Sequence, residues 1–316
     1  MCIRDRAGIF VRSVGSRRLP LPHLEAYLSP HSYVSGILVD RHEAEGAVRA
    51  FFRFFCGHPA SWHGVEFAKR PAEGAQAALI ATVAAEFGAT WHEHGTSRRA
   101  VLVPSEGSGD DYLQARFTSS RVKKLRQLKA RLEQQGDLRW RVRLGAEVDG
   151  GSVERFLELE HMGWKRDEGT SLRSRPSHEA FFREMVDGFR KDGRIFLTEL
   201  SLDGVVIAST TNLISSGVGF AFKLGWHPGY AKTSPGVLNE VEFIRQAPAP
   251  YGELSYIDSG AEEGSYMDQL WVGRHTMVSG LYGTTALGRW ALTSVGQMRK
   301  FRRRLRSLRD RTPSPS

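Results

Sequence analysis

Cysteine is scarce in this sequence, with only Cys2 and Cys56 among 316 residues. Two cysteines cannot form a disulfide framework or a cysteine-rich zinc site, so we expect a reducing, cytoplasmic setting. Cys56 follows a phenylalanine-rich run, which predicts a buried small hydrophobe rather than a nucleophile. Long apolar runs are also missing: no stretch approaches the roughly 20 residues that cross a bilayer, and we expect no secretion leader.

Several well-known motifs are absent as well. The sequence has no phosphate-binding Gly-x-x-x-x-Gly-Lys-Ser/Thr, no Gly-x-Gly-x-x-Gly after a strand, and no Gly-x-Ser-x-Gly nucleophile elbow. A P-loop enzyme, a dinucleotide-binding dehydrogenase and a serine hydrolase of the α/β type therefore each lack their signature. Charged residues at 25% and aromatic residues at 10% indicate an ordinary globular chain, which excludes a disordered or collagen-like protein.

Positive charge is concentrated at one end. Eight basic residues and one acid lie between Arg299 and Arg311, so this segment holds +7 of the net +9 and the rest is nearly neutral. Such a tail can contact RNA or acidic lipid, but a solvated helix face is the plainer interpretation, and nucleic acid is not an expected partner. At the other end, residues 1–6 show no periodicity before the strand-like Ile9-Phe-Val11, so we expect a truncated or misassembled start.

The hydrophobic pattern predicts a mixed α/β chain. Before the polar, glycine-rich segment 104–111, which is the best boundary candidate, it predicts strands at 33–40, 65–67, 90–94 and 100–103 and helices at 43–55 and 75–87. The last two strands would flank a turn at 95–98. After the boundary it predicts helices at 111–135, 152–164 (capped by Ser152), 177–191, 235–246 and from 287 onward, and strands at 138–144, 194–200, 205–214, 218–226, 253–258 and 276–282. An antiparallel meander followed by a crossover helix is expected, with turns at Asp203-Gly204 and 215–217.

The most informative segment is the turn between the strand 218–226 and the helix from Pro235. Ser234 as N-cap, Pro235 in the first turn and Gly236 beside it predict a helix start with free amides, to which an anion such as a pyrophosphate can bind. Lys232 can add a positive charge, and Tyr230 a flat surface with a hydroxyl. A well-capped helix without a ligand remains an alternative.

Two carboxylates are candidate catalytic groups. Glu160 falls within the apolar stripe of its helix, and a carboxylate there either occupies a pocket or reaches solvent at the stripe edge. Asp258 ends a strand before Ser259-Gly260, where sheet proteins often bind ligands, although an Asp can also merely cap a turn. His92 and His94 share one face of a strand, but no third ligand stands at a characteristic spacing, so no metal site is predicted.

Several phrases, taken in order, resemble one family over about half of the chain. They are Ser119-Ser120-Arg121, Gly163-Trp164-Lys165, Gly169-Thr170, Phe181-Phe182, Phe220-Ala-Phe-Lys223, Tyr230-Ala231 with Ser234-Pro-Gly236, Asp258-Ser-Gly-Ala261 and Met267-Asp-Gln-Leu-Trp271. Together they resemble the CelD-like acetyltransferases, a branch of the GNAT superfamily related to the FemAB aminoacyl transferases. The resemblance implies a GNAT-like mixed sheet flanked by helices. It also implies two GNAT-like units: an incomplete one over 1–105 and an acyltransferase domain over 106–290, followed by a basic helix and tail over 291–316.

The resemblance further implies an acyl-CoA co-substrate, no metal, and a small amine acceptor, such as an amino sugar of envelope polysaccharide metabolism. The coenzyme would lie between splayed strands 218–226 and 253–258, bound by Lys223, Tyr230, Lys232, Ser234, Gly236, Val237 and Leu238. Trp164 and Lys165 would shape the acceptor pocket, with Glu160 or Asp258 as the base. The chain departs from the family in having Tyr-x-x-x-Ser-Pro-Gly where GNAT proteins more often have Arg/Gln-x-x-Gly-x-Gly/Ala. Two alternatives stay open: a FemAB-like ligase that uses aminoacyl-tRNA, and a non-catalytic binding module.

Overall fold

The computed structural model describes residues 6–104, 109–246 and 251–309, except for the side chains of residues 6, 299, 300 and 302–309. The expected irregular start, most of the predicted boundary segment and the basic side chains of the tail therefore lie wholly or largely outside the described residues. By its contacts the chain divides into two units, Met1–Arg98 with Thr276–Ser316, and Arg99–His275. The predicted domain bounds of 1–105, 106–290 and 291–316 stay a prediction.

The described part of the first unit consists of a mixed sheet, a separate two-stranded sheet and helices. Its elements are β1 (Arg6–Ala7), β2 (Phe10–Ser13), β3 (His23–Ala26), β4 (Leu38–Val39), α1 (Ala44–Cys56), β5 (Gly64–Pro71), α2 (Ala75–Glu86), the first part of β6 (Thr90–Leu102), most of β12 (Gly273–Gly283) and α9 (Ala286–Arg309). The strand order is β2-β3-β5-β12-β6, with β3 and β5 parallel.

Aromatic residues fill the core of the first unit. Phe52 and Phe55 of α1 pack with Phe67 of β5 and Tyr282 of β12, with ring centroids 5.3–6.4 Å apart. Cys56 is half-buried beside this cluster, and burial raises the pKa of its thiol. The thiolate that a nucleophile needs is therefore disfavoured.

The second unit holds the predicted meander. Its elements are the end of β6, α3 (Gly109–Arg116), α4 (Ser119–Glu133), β7 (Leu138–Leu144), α5 (Gly150–Glu160), α6 (Trp164–Asp167), α7 (Pro176–Lys191), β8 (Ile195–Leu202), β9 (Val205–Ser215), β10 (Val218–Trp226), α8 (Pro235–Gln246), β11 (Tyr256–Asp258) and the start of β12. Strands β7 to β10 run antiparallel in sequence order. Helix α8 then returns the chain to β11, which pairs parallel with β10, as the pattern predicts.

Local sequence explains most of these elements. The turn residues Asp203 and Gly204 both have positive φ, as a two-residue hairpin requires, and Pro176 occupies the first turn of α7. Helix α8 is buried along nearly its whole length, and its polar side chains are hydrogen-bonded. For example, the Trp140 indole N–H donates to Asn239, and the Asn239 amide donates to Thr198 and Thr210.

Several predicted boundaries are wrong. The two strands at 90–94 and 100–103 are one continuous strand, β6, without a turn at Gly95. The helix at 111–135 is broken in two, because Thr118 caps α4 by accepting a hydrogen bond from the Arg121 N–H. Asp149, not Ser152, caps α5, which ends at Glu160. The strand predicted at 253–258 begins only at Tyr256, after a short 3₁₀ turn.

The predicted fold class is confirmed: the chain is a mixed α/β protein with a large mixed sheet flanked by helices. Within the ranges described above, every helix is too short or too polar to span a bilayer.

Candidate active site

The candidate site lies where the end of α5 meets β10. Gly225 makes this contact possible, because a Cβ atom there would lie 2.7 Å from the Glu160 nitrogen and 2.9 Å from the Leu159 carbonyl carbon. Only a residue without a side chain allows the helix backbone to approach the strand this closely. The packing sets the last residue of α5, Glu160, directly against the strand.

Glu160 is completely buried and held by two partners. The Leu172 N–H donates to its Oε2 at 2.8 Å, and the Lys165 Nζ lies 3.3 Å from its Oε1. Lys165 also donates to the Leu224 carbonyl of β10 at 2.5 Å. A buried carboxylate needs such partners. The sequence left open whether Glu160 occupies a pocket or reaches solvent at the edge of the stripe, and in the structure it occupies a pocket.

A second lysine faces the same carboxylate. Lys223 of β10 is half-buried, and burial lowers the pKa of its ammonium. The negative charge of Glu160 acts in the opposite direction, while the positive charge of Lys165 lowers the Lys223 pKa further. The cluster therefore holds one carboxylate in contact with Lys165, and a second lysine close enough to interact electrostatically with both.

A cavity of about 250 Å³ opens beside this cluster. Glu160 and Lys165 contribute its polar wall, and Trp164, Trp226 and Pro228 contribute apolar surface. Trp164 is 54% exposed and stands at the rim. A few convergent polar groups beside apolar walls are typical of a small-molecule site, and the structure brings together three sequence-predicted residues, Glu160, Trp164 and Lys165.

The two strands expected to splay do part. The register of β10 and β11 covers only Val218 to Phe220 opposite Tyr256 to Asp258. Because β11 ends at Asp258, the remainder of β10, from Ala221 to Trp226, has no β11 neighbour. The part of β10 that lines the cavity is thus the part that has left β11.

The predicted anion-binding turn differs in detail from the expectation. Ser234 is left-handed (φ 52°), not extended as an N-cap normally is. Pro235 and Gly236 are buried, and a Cβ atom at Gly236 would lie 3.1 Å from Leu224 Cδ2. Lys232 is exposed in the preceding 3₁₀ turn. The first turn of α8 is therefore largely covered by β10 side chains.

The remaining predicted coenzyme residues lie around this turn. Tyr230 and Val237 are half-buried, and Leu238 is buried. Tyr230 packs at the edge of the cluster that contains Leu238. Their roles in binding the coenzyme stay predictions.

Asp258 lies in a different environment from Glu160. Its carboxylate faces the buried Arg99 guanidinium at 3.2 Å and accepts the Gly260 N–H at 2.8 Å, and the His275 Nδ1 lies 4.0 Å away. Arg99 and the Gly260 N–H therefore already interact with the carboxylate oxygens, and these interactions stabilise the end of β11. The sequence did not identify Arg99 as a partner, since it stands 159 positions earlier in the chain.

One titratable group escaped the sequence analysis. Glu240 of α8 is buried, and burial raises the pKa of its carboxyl to about 7, although the Thr210 hydroxyl, which donates to Oε1 at 2.6 Å, acts in the opposite direction. A helix that is apolar on all sides is a buried helix. Recognising α8 as such a helix would have drawn attention to the carboxyl group of Glu240.

Comparison with known proteins agrees with this geometry. Residues 119–266 match a family model described as an acetyltransferase (GNAT) domain. No curated protein matches the sequence. The segment that matches contains α4 to β11, and so both the cavity and the parted strands.

Among solved structures, the chain is similar to FemX, with 12% identity, a TM-score of 0.53 and coverage of 83% of this chain and 81% of FemX. It is also similar to the C-terminal DUF2156 domain of a protein assigned as a lysylphosphatidylglycerol synthetase from Agrobacterium fabrum, with 11% identity, a TM-score of 0.51 and coverage of 92% and 86%. A tandem GNAT protein of the clavulanic acid biosynthesis pathway aligns with 12% identity, a TM-score of 0.41 and coverage of 83% and 75%. At these identities the first two likenesses show the fold alone.

Proposed function

We propose that the unit Arg99–His275 transfers an acyl group from acyl-CoA to the amine of a small acceptor. The observation that carries this proposal is the parting of β10 and β11 beside the cavity, within the segment that matches the GNAT acetyltransferase domain. The resemblance to that family implies that the thioester of the donor lies in such a gap.

The proposed reaction is direct attack of the acceptor nitrogen on the thioester carbonyl. A nitrogen–carbon bond forms, the carbon–sulfur bond breaks, one proton leaves the amine, and the CoA thiolate takes up a proton. The protein must hold both reactants, remove the amine proton and stabilise the oxyanion. Backbone amides of β10 on the side where it has no β11 neighbour are our candidates for the last role.

Glu160 is our first candidate for the base. It lines the cavity and, as a carboxylate paired with Lys165, can accept the amine proton directly or through a water molecule. Trp164 would cover the acceptor, and Lys223 would attract a negative group. Asp258 remains a second candidate, but its carboxylate already serves Arg99 and the Gly260 amide, so we propose that it mainly holds β11.

The donor is proposed to approach the start of α8. Lys232 is exposed there, and Ser234 is half-buried, so both can reach a diphosphate, with Tyr230, Val237 and Leu238 beside them. The buried Pro235 and Gly236 count against deep binding of the diphosphate in this turn. The side chains of Leu224 and Trp226, which cover the turn, would have to move away when the donor binds.

The burial of Pro235 and Gly236 favours a second candidate function, the transfer of an aminoacyl group from tRNA. Helix α4 buries Leu125, Leu128 and Leu132 and exposes basic residues on its other face (Lys123, Lys124, Arg126, Arg131). Such a row of cations can contact an RNA backbone. The basic tail would add to it.

Two charge reversals separate the donors. Lys232→Glu should weaken acetyl-CoA binding by about tenfold, since one phosphate contact is replaced by repulsion, and should leave tRNA binding unchanged. Lys124→Glu is the matched control, with the reverse pattern. Binding is measured by calorimetry for acetyl-CoA, and by filter binding at two salt concentrations for tRNA.

If acetyl-CoA binds and only Lys232→Glu weakens it, the first function stands. If tRNA binds with a steep salt dependence that Lys124→Glu reduces, the second replaces it. A chain that binds neither ligand would be a non-catalytic module, and both transfer proposals would fail.

A further inference from the structure

A cluster of histidine and glutamate side chains lies in the first unit, outside the site described above. His23 and Glu25 stand two residues apart on β3, and Glu66 lies on the parallel neighbour β5, in register with Glu25. One ligand-type atom from each of the three residues lies within 4.8 Å of the others. Neighbouring strands thus bring one imidazole and two carboxylates to one point.

The imidazole of His23 is oriented toward the two carboxylates and is itself completely buried. Its Nδ1 lies 2.8 Å from the Leu21 carbonyl oxygen. A carbonyl only accepts hydrogen bonds, so Nδ1 must carry the proton and donate. The other nitrogen, Nε2, is buried and makes no hydrogen bond among the described residues.

This arrangement leaves Nε2 in need of a positive partner. It lies 3.3 Å from Glu25 Oε1 and 3.8 Å from Glu66 Oε2. If Nε2 were a bare lone pair, three electron-rich atoms would face one another in a buried position, which is unfavourable. A proton or a metal cation between these atoms would remove the unfavourable contact.

The distances and surroundings resemble those of a metal site. Ligands about 2.0–2.1 Å from a tetrahedral zinc ion are separated from one another by about 3.3 Å, close to the His23–Glu25 separation. The second oxygen of Glu66, Oε1, is 2.8 Å from both His94 Nε2 and Arg18 Nη1, which fix the carboxylate. Metal ligands are commonly held by such neighbours, as His23 is by the Leu21 carbonyl.

We propose that His23, Glu25 and Glu66 bind a divalent first-row transition-metal ion such as Zn²⁺, with water completing the coordination. One imidazole and two carboxylates suit Zn²⁺ better than Ca²⁺ or Mg²⁺, which prefer oxygen ligands only. Glu25 has 45% of its side chain exposed, so an ion can enter from solvent. His94, from the histidine pair noted in the sequence, orients Glu66 and is not itself one of the three ligands. This proposal is independent of the acyl transfer.

The test uses the full chain, freed of metal by a chelator. Zn²⁺ binding is measured by calorimetry, and Co²⁺ is added as a spectroscopic probe of coordination. We expect one strong site per chain, visible absorption bands of four-coordinate Co²⁺, and at least about tenfold weaker binding in Glu25→Gln. Glu73→Gln, a change at an exposed glutamate outside the cluster, is the matched control and should bind like the parent chain.

His23→Gln should weaken binding further, but its buried position makes folding a concern, so Glu25→Gln is the decisive variant. ¹⁵N NMR of the histidine side chains shows whether a proton or a metal ion is bound to Nε2 of His23. Loss of the Nε2 proton on adding Zn²⁺ would support the proposal. Equal Zn²⁺ affinity in the parent chain and Glu25→Gln, or a His23 that keeps both protons at saturating Zn²⁺, would overturn it and leave a buried imidazolium between two glutamates.

Discussion

Replacing Gly225 by alanine tests the contact on which the candidate site depends. The added Cβ would lie 2.7 Å from the Glu160 nitrogen, 2.9 Å from the Leu159 carbonyl carbon and 3.0 Å from the Glu160 Cα. These are backbone atoms, which cannot rotate away, so α5 and β10 must separate by roughly 0.7 Å to reach an ordinary contact of 3.4 Å. Overpacking of this kind costs about 1–3 kcal/mol, offset by about 0.4–1 kcal/mol because alanine restricts the unfolded chain.

The free energy of unfolding is the quantity to measure, by urea titration followed by circular dichroism. Gly188→Ala is the matched control, since Gly188 is exposed on α7 with nothing within 4 Å of the added Cβ. There the change should stabilise the chain by about 0.5–1 kcal/mol. The two variants are thus expected to shift the urea midpoint in opposite directions.

A displaced Glu160 should also impair any reaction in the cavity. A shift approaching 1 Å at a positioned group can lower the rate by up to about 100-fold. If Gly225→Ala unfolds at the same urea concentration as the parent chain, or at a higher one, the backbone contact is not as close as the structure has it. The account of how Glu160 is positioned would then be wrong.

Three further predictions concern buried carboxylates. The folded chain keeps a proton on Glu240 up to pH about 7, whereas the unfolded chain releases it near 4.5. The free energy of unfolding should therefore fall by roughly 3 kcal/mol between pH 4.5 and 7 and level off above. Urea titrations of Glu240→Gln should lack this fall, and a pH profile of this variant that equals that of the parent chain would contradict the prediction. Glu160→Gln keeps an acceptor for the Leu172 N–H but no base, so steady-state assays with acetyl-CoA and a panel of amines should show a loss of about 10²–10⁴-fold, while full activity would exclude Glu160 as the base. Asp258→Asn removes the charge that faces Arg99 and should destabilise the chain by about 3–5 kcal/mol in urea; a loss of activity without a loss of stability would instead favour Asp258 as a catalytic group.

Much of the fold could be predicted because its signals are local. The helix at 177–191 and the Asp203-Gly204 turn each depend on residues close together in the sequence, and both are confirmed. The errors arise where a distant partner decides. Gly95 is typical of a turn, yet β6 continues through it. The backbone stays extended because β6 pairs with strands that are distant in the sequence.

The candidate site divides in the same way. The inward position of Glu160 follows from helical spacing, and its complete burial confirms that reading. Its surroundings do not follow: the loop after α6 brings the Leu172 N–H to the carboxylate, and β10, some 60 residues away, brings the Leu224 carbonyl to Lys165, which in turn contacts Glu160. Spacing along a helix gives the direction of a side chain but not what the tertiary fold sets opposite it.

The glycines of β10 are a local signal that could have located the site more closely. A glycine inside a strand often marks a close approach of another backbone or side chain, and β10 has one near each end. At Gly219 a Cβ would meet Ile257 at 2.9 Å and Leu254 at 3.0 Å, so this glycine admits β11; Gly225 admits α5. At Gly225 the end of α5 packs against the face of β10, while β9 stays paired with the strand along its length. The cavity lies beside Gly225, so the glycines of β10 mark the stretch of the strand at which the site lies.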